Sequence, residues 1–233
     1  MTDGHSPIRK DRKRNPELTR AAILQAALEE FSDVGLSGAR VDNIAKRAGV
    51  SKPMIYDYFG DKNAVYSAAL REAYIQIRQR EKELALDVCE PEEAIRLLVR
   101  FTMNHFWSNP WFISMLNTEN LLGGETIRKL DGVTEIQAIL LKRVSEILER
   151  GWKKDVFKLE ITPVEVYVLI ASVCWFPISN MHTLRVVFQL PIDEAWLNSH
   201  ADRAADMIVG YLCDAKSLPA QGLKGDSGVA ATD

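Results

Sequence analysis

The run Gly49-Val50-Ser51-Lys52-Pro53-Met54-Ile55-Tyr56-Asp57-Tyr58-Phe59-Gly60-Asp61-Lys62 holds one short helix together with the residues that start and stop it. Gly49 is a natural left-handed stop for whatever helix precedes it. Ser51 can cap, and Lys52 and Pro53 fill a first turn where a missing N–H costs nothing. Ile55, Tyr58 and Phe59 supply an inward face, Gly60 breaks the helix, and Asp61 stands ready to cap the next one. A helix over about 52–59 follows. Upstream, Val41, Ile44, Ala45 and Ala48 recur at helical spacing for barely two turns, with Asp42 near the positive end. Before that, Leu24, Ala27, Leu28 and Phe31 mark a longer helix that Asn15 or Thr19 can cap, with Pro16 in its first turn and Gly35 ending it.

Two short helices joined by a glycine-containing turn make a helix-turn-helix, and helices this short need the flanking amphipathic helices to cover their apolar faces. Periodicity alone fits equally a helical bundle in which the short helices are connectors. The residue identities separate the two. The 49–62 run resembles the signature of TetR-family regulators, a Gly-Val-Ser turn leading into a helix that ends Tyr-x-(Tyr/His)-Phe with a lysine two or three residues on. Ala26-Ala27, Phe31, Gly35, Val41 and Ile44-Ala45 match the same family, so the resemblance spans about residues 17–70.

That resemblance implies an all-α chain of about nine helices. A helix-turn-helix DNA-binding domain would occupy 16–62 and a helical effector-binding and dimerisation domain 63–216. Helix 52–59 then enters the major groove of operator DNA. Ser51, Tyr56, Tyr58 and Lys62 are implied phosphate contacts, each offering a hydroxyl or ammonium donor. Lys52, Pro53 and Met54 are the implied base-edge or groove-wall contacts: Met54 can pack on a thymine methyl and Lys52 can donate to guanine O6 or N7. Arg40, at the mouth of the second helix, stands where the family often has a small hydroxyl residue, and its cationic reach would serve the same phosphate. Asp57 departs from the pattern. A carboxylate repels phosphate, so Asp57 accepts from a cytosine amine, forms a salt bridge with a nearby Lys or Arg, or is simply solvated. For Tyr56 and Tyr58 core packing competes with DNA contact.

The net charge of −3 hides an uneven distribution. Residues 1–62 hold eleven Lys/Arg against nine Asp/Glu, and the remainder eighteen against twenty-three. Arg9, Lys10, Arg12, Lys13 and Arg14 form a basic arm within residues 1–15. Ahead of a major-groove reader, such an arm is expected to reach adjacent minor groove or phosphates. Three scattered cysteines, Cys89, Cys174 and Cys213, fit neither a disulfide framework nor a metal pair and suggest a reducing cytoplasm. Residues 1–20 do not read as a signal peptide, and the apolar run 166–178 is too short to span a bilayer.

Beyond the helix-turn-helix, one long helix over about 61–86 leads away as a lever. Further helices are expected near 91–107, 110–122, 131–153, 162–180 and 193–214, then a disordered tail over 217–233 rich in Gly, Ala and Ser. The stretch 166–176 is apolar nearly all round, which asks for burial by a partner. The family resemblance implies that this partner is a second copy, joined through the last two helices. An effector pocket lined by Trp107, Trp111, Phe112, Trp175 and Phe176 is implied among the middle helices, with His105, Asn117, Asn120, Asn180, His182 and Arg185 as polar anchors. For each, ordinary core packing or a satisfied hydrogen bond is the competing account. Asn180 to Phe188 is similar to a stretch in regulators of pyrimidine and nicotinate catabolism, which suggests a small heteroaromatic effector. No nucleophile elbow, P-loop or zinc motif occurs, and four dispersed histidines have no ligand spacing, so neither enzyme activity, cofactor nor metal is expected. The same fold could instead serve an activator, or a dimeric DNA binder without effector.

Overall fold

A computed structural model of the chain describes residues 15–214. The basic arm and the tail expected from the sequence lie outside the described residues. Ten α-helices follow one another: α1 Pro16–Gly38, α2 Val41–Ala48, α3 Lys52–Phe59, α4 Lys62–Lys82, α5 Pro91–Ser108, α6 Pro110–Leu121, α7 Val133–Lys153, α8 Pro163–Ser179, α9 Met181–Val187 and α10 Glu194–Cys213. A single 3₁₀ turn, Ile127–Lys129, separates α6 from α7, and there is no strand among the described residues.

The helix starts are set by short-range chemistry. Asn15 Oδ1 accepts from the Glu17 amide at 3.0 Å to open α1, and Asp61 Oδ1 accepts from the Ala64 amide at 2.8 Å to open α4. Thr162 and Glu165 form a reciprocal capping box ahead of α8. Ser51 starts α3 in an extended conformation without a side-chain capping bond, contrary to the capping expected of it. Gly35 (φ 68°) breaks α1, and the chain runs one more short turn to Gly38. Gly49 (φ 65°) ends α2 in the left-handed region, which a side chain enters at a cost of about 1 kcal/mol.

The sequence pattern carries α4 to about 86, but the helix ends at Lys82 because α7 takes over the following carbonyls. Arg143 donates to the carbonyls of Glu81 and Leu84, and Arg150 to those of Leu86, Asp87 and Cys89. The tenth helix, α9, escaped the pattern because Val186 and Val187 are exposed, leaving no amphipathic signature.

Phe31 of α1 meets Tyr66 of α4 edge-on at 4.9 Å, joining the N-terminal bundle to the long helix. Ile23, Leu28, Ile44, Ile55 and Val65 are fully buried around this contact. In the C-terminal part α5 lies centrally, and Arg96–Asp206 and Arg100–Asp202 ion pairs fasten it to α10. No single helix among the described residues is long and apolar enough to cross a membrane.

Candidate nucleic-acid interface and interior site

α3 is held from behind and bare in front. Ile55 is fully buried, Tyr58 and Phe59 are half-buried, and Arg20 of α1 sits over the Phe59 ring at 5.2 Å. On the outer side Ser51, Lys52, Pro53, Tyr56 and Asp57 are exposed and Met54 is half-buried. The Ser51 hydroxyl is not consumed in capping. Lys52 Nζ pairs with Asp42 Oδ2 at 2.9 Å, a bond that raises the lysine above its usual range and bridges α2 to α3. Asp57 forms no ion pair among the described residues. Tyr58 has its ring toward Phe59, 6.2 Å between centroids.

Lys62 and Arg40 mark the edges of this surface. Lys62 is half-buried, and its ammonium donates to the Ala39 carbonyl at 3.1 Å and the Ser37 carbonyl at 3.4 Å, tying the start of α4 to the α1–α2 junction. Arg40 is exposed at the N-cap of α2. Its backbone N–H donates to Glu30, a residue that sequence reasoning missed. Glu30 Oε1 accepts from the Arg40 amide at 3.1 Å and from Asn43 Nδ2 at 2.8 Å, while Oε2 faces Arg47 Nη2 at 3.4 Å. A carboxylate only 3% exposed on α1 thus substitutes for the missing cap of α2 and fixes where α2 sits. Its partners lie ten and thirteen residues downstream, beyond the reach of any local pattern.

The interior of the C-terminal part gathers a ring cluster. Phe112 meets Phe106 at 5.7 Å, His105 at 5.4 Å, Tyr74 at 6.0 Å and Trp111 at 6.0 Å, and Phe106 meets Trp175 at 5.7 Å. Of the pocket residues expected from sequence, Phe112, Trp111, Trp175 and His105 join this cluster. Trp107 is half-buried outside these ring contacts. Asn117 faces Ser179 at 3.3 Å, Asn120 and Asn180 donate to carbonyls of their own helices, and Phe176 and His182 are exposed.

Charge lies beneath the rings. Arg78 Nη1 and Glu81 Oε2 pair at 2.8 Å with both side chains almost fully buried. Burial pushes Glu81 up to about 7, against the pull of Arg78 and Arg143, and lowers Arg78 from its usual value. Burial, helped by Arg80 and Arg78, lowers His105 to about 4, so its ring is neutral near pH 7. Burial likewise pushes Tyr74 up to about 12. Arg78 Nε and His105 Nε2 have no hydrogen-bond partner among the described residues, whereas the Tyr66 hydroxyl faces the Glu119 carboxylate. An unmet buried polar atom costs about 1–3 kcal/mol. No cluster of metal-ligating residues occurs among the described residues.

A short reader helix backed by two supporting helices, joined by a long helix to a helical body with a polar interior, defines a helix-turn-helix transcription regulator. Residues 23–69 match the family described as bacterial regulatory proteins, tetR family, and residues 91–208 match the tetracyclin repressor-like C-terminal domain. The transcriptional repressor NicS of Pseudomonas putida is 36% identical over 173 residues, 74% of this chain and 82% of that protein. The transcriptional regulator RutR of Escherichia coli K12 is 29% identical over 170 residues, 73% of this chain and 78% of that protein. The chain belongs to the TetR family, whose members are regulators and not enzymes. The regulator FadR of Bacillus subtilis, solved in complex with stearoyl-CoA, shares the fold at TM-score 0.61 and 21% identity, over 81% of this chain and 97% of that one. TetR regulators bind operator DNA and small-molecule effectors.

Proposed function

We propose that this protein is a cytoplasmic repressor that binds a palindromic operator as a homodimer and lets go when a small effector enters the C-terminal domain. Residues 16–62 form the DNA-binding part and 63–216 the effector and dimer part. One observation carries the DNA half: the outer face of α3, from Ser51 to Asp57, is exposed while its inner face is consumed by packing. Ser51, Tyr56 and Tyr58 hold phosphates, with Arg40 and Lys62 at the margins, and Lys52, Pro53 and Met54 meet base edges. Lys52 has to exchange Asp42 for a DNA acceptor, so its contribution is a difference between two pairings. Asp57 has no basic partner, which leaves a cytosine amine or water as its DNA-facing options.

The dimer half rests on apolar exposure. Val164, Val168 and Phe176 of α8 and Met207 of α10 are each at least half exposed, beside a cleft of about 560 Å³ between the two helices. A contiguous apolar surface of this kind is suited to burial against a second copy. The effector half rests on the polar interior under the ring cluster, and release follows if the effector tilts α4 and moves the paired α3 helices off the spacing of about 34 Å that successive major grooves require.

The test is a gel-shift titration on the DNA upstream of the gene, with a metabolite panel of neutral, cationic and anionic compounds. A salt-sensitive, sequence-selective complex dissolved by one compound is expected. Failure to form any selective complex overturns the proposal.

A further inference from the structure

Asp42 reaches from α2 onto the exposed outer side of α3. It is the second residue of α2, its side chain is 66% exposed, and its carboxylate pairs across the turn with Lys52 Nζ at 2.9 Å. A pair this open to water contributes little to folding. The backbone that carries it is nevertheless fixed. Buried Glu30 accepts from the Arg40 amide and from Asn43 Nδ2 and faces Arg47, so α2 is held on both sides of Asp42. Lys52 is the first residue of α3, the end of a reader helix that is directed at base edges. A donor and an acceptor thus stand side by side at the mouth of the helix-turn-helix, each on an element whose position is set by packing behind it.

We propose that Asp42 is a specificity-determining residue: on operator DNA the Lys52–Asp42 pair opens onto one G·C base pair, Lys52 donating to guanine O6 and N7 and Asp42 accepting from the cytosine N4 amine. The inference rests on the DNA-binding reading of α3 above and adds a second reader from α2. In the major groove a G·C pair presents two acceptors, guanine N7 and O6, and then a donor, cytosine N4. An A·T pair presents acceptor, donor, acceptor. An ammonium with three donors beside a carboxylate that only accepts matches the first order and not the second. On other sequences, a phosphate that draws Lys52 away leaves the Asp42 carboxylate unpaired among phosphates. The pair therefore stays closed there, and Lys52 releases no counterion. Asp42 turns a lysine that would hold any duplex into one that is freed at a particular base pair.

The full-length wild-type protein selects its operator from randomised duplexes. Affinities for that operator, for its single-pair variants and for unrelated DNA are then measured by fluorescence anisotropy over a range of salt. Asp42→Asn keeps the shape but adds a donor. It is expected to lower the ratio of operator to unrelated affinity at least about tenfold, and to steepen the salt slope on unrelated DNA by about one per protomer as Lys52 becomes free for phosphate. At one G·C pair of each half-site, replacement by A·T is expected to cost the wild type about tenfold and Asp42→Asn less than about threefold. Lys52→Met is expected to relax the same pair. A merely structural ion pair would lower the melting temperature and weaken all DNA alike with base preference intact, and that result overturns the proposal. Equal gains on operator and unrelated DNA, or relaxation of different pairs by the two variants, overturn it as well. In each of these cases selective binding by the wild type leaves the DNA-binding reading standing; a wild type without any selective complex removes both.

Discussion

On the proposed assignment of the α3 surface, Lys62 serves affinity and Met54 choice of sequence. Lys62→Ala is expected to weaken binding to all DNA about equally and to reduce the salt slope by about one, whereas Met54→Ala should shift preference among operator sequences. Gel shifts on randomised operators would read both, and the opposite assignment refutes the division. The Lys62 ammonium also holds the Ala39 and Ser37 carbonyls, so its variant should lose some stability as well. His105 gives a pH signature. Its folded value of about 4 lies below the ordinary 6.5, so between these the unfolded chain takes up a proton that the folded one refuses, and stability falls as pH falls. Chemical denaturation of wild type and His105→Gln across that window should show the wild type losing up to about 3 kcal/mol relative to the variant. Parallel curves would mean that His105 ionises normally. Glu81 acts with the opposite sign over an overlapping range, which is why the difference between the two proteins is the quantity to measure. The burial of His105 and of the Arg78–Glu81 pair was not legible in the sequence. Burial by neighbouring helices, a long-range event, gives the pair its character.

At the scale of elements, α3 could be delimited to the residue because glycine, serine and proline punctuate it locally, and the observed helix is Lys52–Phe59. The capping of α2 could not, because its acceptor arrives from α1. Glu30→Ala removes the acceptor for the Arg40 amide and for Asn43, leaving a backbone donor unmet at the start of α2. A loss of about 1–3 kcal/mol is expected in thermal or urea unfolding, together with weaker operator binding as α2 loses its fixed seat under α3. Unchanged stability would show that water replaces the carboxylate. Aromatic residues at helical spacing announce burial, and Phe112 and Trp175 are in the ring cluster, but an asparagine announces no direction, and Asn120 and Asn180 turn back to their own helices.

At the scale of the whole molecule, the all-round apolar character of 166–176 resolves into two faces. Val166, Ile170 and Cys174 are buried within the chain, while Val168 and Phe176 are left outside. Phe176→Glu should convert a dimer to monomers in sedimentation velocity and abolish tight operator binding, with the fold of each chain intact; a variant that stays dimeric would move the interface elsewhere. The arginines of α7 that close off the chain after α4 have a kinematic consequence. With Glu81 and the chain just after Lys82 held by Arg143 and Arg150, the proposed motion of α4 would pivot at the end away from α3, and its twenty-one residues make an arm of about 30 Å. A rotation of roughly 5° about that pivot sweeps the Lys62 end through about 3 Å, close to the 3.4 Å rise of a single base pair. Displacements too small to disturb the packing around Arg78 are thus magnified at the far end into shifts on the scale at which a duplex is divided.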